Sequence, residues 1–103
     1  MIVTVFRSRH LAGVEDEYMR LAKRMGELAA NMPGYISHKG FVAEDGERLT
    51  LVEFESEDAQ RAWRMHPEHR QTQKYGREHF YAEYDAKVCA VIRESKFKRD
   101  GKS

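Results

Sequence analysis

A chain of 103 residues, 41% hydrophobic and 34% charged, has the size of one small domain whose core is near the lower end of what folds comfortably alone. Its formal net charge of +1 gives no electrostatic case for nucleic acid or an anionic membrane as the main partner. The imbalance is local: Arg93 to Ser103 holds five Lys or Arg against two Asp or Glu, while the body before it has 13 basic and 15 acidic residues. Residues 1–92 therefore read as the folded domain and residues 93–103 as a charged, solvated C-terminal tail. Cys89 is the single cysteine. It excludes an intrachain disulfide, fits a reducing compartment, and reads by default as a small buried side chain. Ile2 to Phe6 is too short and wrongly flanked for a signal peptide or a membrane span, so the expectation is a cytoplasmic protein.

In chain order, Ile2 to Arg9 is β-branched and aromatic and predicts a strand with apolar residues on both faces. Glu15-Asp16-Glu17 then opens a helix on which Tyr18, Leu21, Ala22, Met25, Leu28, Ala29 and Met32 keep helical spacing. Pro33-Gly34 stops it. Tyr35 to Ala43 predicts a second strand, with Tyr35, Ser37, Lys39 and Phe41 on one face and Ile36, His38, Gly40 and Val42 on the other. Asp45-Gly46 makes a hairpin turn into a third strand, Arg48 to Glu55, where Thr50, Val52 and Phe54 alternate with Leu49, Leu51 and Glu53.

Ser56 reads as an N-cap, and Glu57 and Asp58 lie where carboxylates favour the start of a helix. Ala59, Ala62, Trp63 and His66 share one face of that helix. Pro67 pushes His66 out of the helical region and suits the first position of a new helix, which Gly76 is expected to end in a left-handed C-cap. The result is a bent helix pair with Trp63, His66 and His69 at the elbow. Phe80 to Ile92 alternates as a long fourth strand, Phe80, Ala82 and Tyr84 opposing Tyr81, Glu83 and Asp85.

The order β-α-β-β-α-β with a central hairpin predicts an α+β, ferredoxin-like fold: a four-stranded antiparallel sheet with its helices on one face. Apolar residues such as Val5, Phe41, Val52 and Phe54 occupy both parities of the strands, so the helix-free face needs a cover. A homodimer in which two sheets close into an α+β barrel supplies it.

Phe54-Glu55-Ser56-Glu57, Ala62-Trp63-Arg64, His66-Pro67-Glu68-His69-Arg70, Gln73, Gly76-Arg77 and Phe80-Tyr81 together resemble the antibiotic biosynthesis monooxygenase (ABM) domain family of dimeric α+β barrels, over roughly Ile2 to Ile92. The resemblance implies the topology above. It also implies an activity drawn from cofactor-free monooxygenases of phenolic polyketides, quinol oxidases, haem-degrading enzymes or members without demonstrated chemistry. Carried over by residue, the polyketide oxidases' third-strand Asn and Trp fall on Thr50 and Phe54. Of the haem-degrading set, Trp63 fits, Gln73 stands where an axial His is expected, and the first strand has no Asn, which disfavours haem.

No Gly-rich phosphate loop, Cys cluster or other cofactor motif is present, so an oxidation must draw its reactivity from an electron-rich phenolic or quinol substrate. Such chemistry needs an apolar pocket, a base for the phenolic proton and a donor for the developing anion. His66, His69 and His38 are the candidate bases, and Trp63, Phe54, Thr50 and Tyr35 the candidate pocket residues. No cofactor and no metal is expected.

Plainer readings stand beside these. Trp63 on the apolar face of a short helix reads first as core. His66 reads first as the cap of the helix that Pro67 begins, and the His66/His69 pair has no third ligand for a metal. Lys39-Gly40-Phe41 echoes an RNA-binding signature that Val42-Ala43-Glu44 breaks. A non-catalytic dimeric small-molecule-binding protein and a haem-binding protein remain the alternatives to the oxidase.

Overall fold

The structure, a computed structural model, describes residues 1–100. The elements are β1 (Ile2–His10), α1 (Glu15–Ala30), β2 (Tyr35–Val42), β3 (Arg48–Phe54), α2 (Glu57–Arg64), α3 (Pro67–His79) and β4 (Tyr81–Ala90). The fold is α+β and ferredoxin-like, with one antiparallel sheet in the order β2-β3-β1-β4. β1, the apolar strand that opens the chain, is central. β3 joins β2 to it through the Asp45-Gly46 turn, where Asp45 Oδ1 accepts from the Glu47 N–H at 3.0 Å.

Register assigns the two faces. Phe54, Val52 and Thr50 pair with Ile2, Thr4 and Phe6, and Phe54 packs with Ala29 of α1 and Trp63 of α2, so this parity faces the helices. Met25, Leu28, Met32, Tyr35, Val52 and Ala59 complete that core. The other face presents Val3, Val5, Leu49 and Leu51, with Phe41 and Cys89 toward its edges, and none of the described helices packs on it.

The elbow forms as the sequence predicts. Ser56 Oγ accepts from the Ala59 N–H at 3.1 Å, and His66, extended at φ −58°, ψ 128°, leads into Pro67 at the start of α3. α1 is tied across to α3 by two contacts. Arg24 grips Glu68 through two hydrogen bonds of 2.8 and 3.1 Å, and the Tyr75 hydroxyl donates to Glu17 at 2.8 Å.

Four expectations are corrected. Gly76 does not end α3. The helix continues to His79, and Gly76 lies inside it, where a Cβ would sit 2.6 Å from Cε2 of Tyr81. Its missing side chain makes room for that ring. In β2 the register shifts between Tyr35 and Ser37, so Tyr35 faces the helices together with His38 and apart from Phe41. In β4 a shift opposite Arg9 and His10 likewise puts Tyr81 and Tyr84 on one face. Cys89 is exposed: it lies on the edge strand β4, paired with Val3 on the sheet face away from the helices.

Candidate functional site

The elbow is built around Trp63, which is buried on the inward face of α2. The imidazole of His69, one turn into α3, stacks on the indole with ring centroids 4.0 Å apart and planes 11° from parallel. Its Nδ1 lies 3.0 Å from the Trp63 carbonyl oxygen. A carbonyl only accepts, so Nδ1 carries the proton and Nε2 keeps its lone pair. Burial pushes the His69 pKa down, helped by His66 and opposed by the carbonyl hydrogen bond. His69 is thus a neutral, oriented imidazole whose second nitrogen has no hydrogen-bond partner among the described residues.

His66 is differently employed. Its Nδ1 accepts from the Glu68 N–H at 3.2 Å, capping α3. Protonating that nitrogen would remove the cap. His38 projects from β2 beside Gly26 of α1 and lies 2.6 Å, Nδ1 to hydroxyl, from Tyr35, whose ring meets Phe54 edge-on. Tyr35, Phe54, Trp63, His66 and His69 therefore gather at one end of the layer between sheet and helices, with His38 at its margin.

Thr50 belongs to the other end. It is four residues from Phe54 on the same face of β3, about 13 Å at ~3.3 Å per residue. There it faces Tyr18 of α1, whose phenol is pushed up in pKa by burial while a hydrogen bond with Thr50 acts against that shift. Around them stand Phe6, His10, Tyr81 and Tyr84. Tyr84 stacks on Phe6 with centroids 5.3 Å apart, and Tyr81 meets both edge-on at 5.5 Å. Burial raises the Tyr81 pKa far above that of an ordinary phenol, with Tyr18 and Tyr84 adding to it.

Sequence reasoning did not nominate His10, Tyr18, Tyr81 or Tyr84. The signal available was parity: His10 follows Phe6 and Ser8 at two-residue steps on the strand that pairs with Thr50. Two hollows lie away from the elbow. A groove of about 440 Å³ between α1 and α3 is lined by Glu17, Arg20, Leu21, Gln71, Thr72 and Tyr75. One of about 330 Å³ is lined by Arg7, Ser8, Glu47, Glu83, Tyr84 and Asp85. Neither is lined by a nominated residue. Among the described residues no cluster of three or more His, Cys, Asp or Glu is arranged to hold a metal, and no helix is long and apolar enough to cross a membrane.

Residues 1–75 match the family model described as antibiotic biosynthesis monooxygenase. The chain is 34% identical over 83 residues to the uncharacterized protein YqjZ of Bacillus subtilis (strain 168), covering 81% of this chain and 73% of that one. Among solved structures, Rv0793 from Mycobacterium tuberculosis superposes with a TM-score of 0.81 at 17% identity, over 92% of this chain and 98% of that one. SnoaB, a cofactor-independent oxygenase from Streptomyces nogalater, gives 0.76 at 16% identity, over 90% and 94%. At these identities the structural likeness speaks for the fold, and the family follows from the sequence matches: the chain belongs to the antibiotic biosynthesis monooxygenase family.

Proposed function

We propose that the protein is a cofactor-independent monooxygenase or oxidase acting on a small phenolic, quinol or polyketide-like substrate. The observation that carries this reading is the His69 imidazole: neutral, half-buried, stacked on Trp63, tautomer fixed by a carbonyl, Nε2 without a hydrogen-bond partner among the described residues. A base of that kind suits removal of a phenolic proton near neutral pH. The family match and the fold shared with SnoaB support the same class of chemistry.

The proton goes to Nε2 and the electron pair stays on the substrate oxygen, giving an electron-rich phenolate. In a hydroquinone, loss of both O–H protons and two electrons to dioxygen yields the quinone and hydrogen peroxide. At an activated methylene, one oxygen atom becomes the carbonyl and the other leaves as water with both hydrogens. Neither balance needs an external reductant. In this reading Trp63, Phe54 and Tyr35 wall the elbow end of the substrate layer and Thr50 its far end. His38, paired with Tyr35, is the reserve base, and His66 holds the elbow in shape.

The reading includes a homodimer through the face that carries Val3, Val5, Leu49 and Leu51. An isolated small domain gains most from covering such a face with a second copy of itself. Oxygen consumption with a panel of phenols and quinols tests the activity. Substrate-dependent uptake that falls in His69→Gln supports it. A haem titration that produces a Soret band in place of uptake would move the reading to haem binding.

A further inference from the structure

His10 ends β1 on the helix-facing side of the sheet, and its side chain is only 7% exposed. Neither ring nitrogen has a hydrogen-bond partner among the described residues. Buried polar groups are almost always paired, so a buried imidazole bare at both nitrogens is an unusual feature that asks for a partner. Its surroundings are aromatic: the Tyr18 ring lies 4.1 Å away and the Tyr81 ring 5.6 Å away, centroid to centroid. One carboxylate is near. Glu15 Oε2 lies 3.7 Å from Nδ1, and Glu15 is itself gripped by Arg48, which also lies over the Tyr18 ring.

This arrangement sets the tautomer. Burial and the Arg48 charge disfavour the imidazolium, so the ring is neutral at pH 7. A neutral ring places its single proton on the nitrogen nearest the carboxylate, Nδ1. Nε2 is left as a buried acceptor beside the rings of Tyr18 and Tyr81, which Phe6 and Tyr84 adjoin. Tyr84, in contact with Phe6 and Tyr81, is 43% exposed and brings this aromatic cluster to the surface.

We propose that His10 is a specificity-determining residue that reads a hydroxyl group: its Nε2 accepts a hydrogen bond from the hydroxyl of an aromatic ligand seated among Phe6, Tyr18, Tyr81 and Tyr84. Glu15, held by Arg48, is the positioning residue that keeps the proton on Nδ1. The choice of a phenol as ligand rests on the oxidase reading, whereas the hydroxyl requirement rests on His10 itself. A site built to pair a substrate hydroxyl rejects the analogue without it, because the analogue leaves the buried acceptor bare.

The test compares naphthol with its methyl ether by titration calorimetry on the full chain, alongside 15N NMR of the His10 ring. In the wild type, naphthol should bind about tenfold more tightly or better, the scale of one hydrogen bond. The His10 Nε2 resonance should move with naphthol and stay in place with the ether. Discrimination should vanish in His10→Phe and shrink in Glu15→Gln. The wild-type comparison stands even where His10→Phe fails to fold. Equal affinities, no binding of either ligand, an unmoved Nε2 resonance at saturating naphthol, or discrimination that survives in His10→Phe would each overturn the proposal. Discrimination without oxygen uptake would leave it standing and remove the oxidase reading. Oxygen uptake without discrimination would do the reverse.

Discussion

The indole of Trp63 and the imidazole of His69 lie face to face at 4.0 Å, and the carbonyl of the same tryptophan accepts the His69 Nδ1 proton at 3.0 Å. One residue thus fixes both the plane and the tautomer of the other. The side chain does the first and the backbone the second, so mutation separates them.

Trp63→Ala removes a side chain that is only 6% exposed and packs on Phe54 and Ala29, and should cost about 3–5 kcal/mol of stability. The carbonyl remains, so the His69 tautomer persists while the ring loses its platform. Denaturant titration checks this. An unchanged midpoint together with lost ligand binding would mean that the indole serves the pocket and not the core.

Acid should destabilise the protein through two imidazoles. Burial is the leading cause that depresses both His10 and His69 below the ordinary value of 6.5. Near and below that pH the unfolded chain binds protons that the folded protein refuses. Their contribution is therefore full above about pH 6.5, declines as pH falls through the unfolded value, and levels off below the folded ones. His10→Gln and His69→Gln should each flatten the pH dependence of the unfolding midpoint. On the same grounds the acid limb of any turnover assigned to His69 should lie below pH 6.5.

Two helical glycines should respond oppositely to alanine. At Gly76 the new methyl would lie 2.6 Å from Cε2 and 3.3 Å from Cδ2 of Tyr81, a half-buried ring with little freedom to retreat, so Gly76→Ala should cost about 1–3 kcal/mol. At Gly26 the clash is with the His38 ring, 2.8 Å at Nε2, on an exposed side chain that can swing away. There the helix gains back about 1 kcal/mol of propensity, so the midpoint should hold or rise. Thermal unfolding of the two variants distinguishes the cases.

The order of strands and helices was legible because each element carries its own period, and the elbow because Ser56, His66 and Pro67 each have a local backbone consequence. Side-chain grouping was less legible. Alternation assumes an unbroken strand, and the shifts in β2 and β4 moved Tyr35 beside His38 and Tyr81 beside Tyr84. Gly76 was misread because a glycine required by a neighbouring ring looks, in sequence, like a glycine that ends a helix. His10 escaped notice because its burial comes from Tyr18 and Tyr81, which only the fold brings to it.

The homodimer proposal predicts that Leu51→Glu, at the centre of the uncovered sheet face and paired with Val5 and Lys39, yields a monomer by light scattering. The wild type should scatter as a dimer at micromolar concentration. A wild-type folded monomer would contradict it.

Oxygen consumption by the wild type and His69→Gln, followed with a hydroquinone and a polycyclic phenol, tests the central claim most directly. Substrate-dependent uptake is expected without added cofactor or reductant, with a drop of about 10²-fold or more in His69→Gln, the scale of a lost general base, while the folded dimer stays intact. Uptake that is absent across the phenols and quinols, or undiminished in the variant, would contradict it.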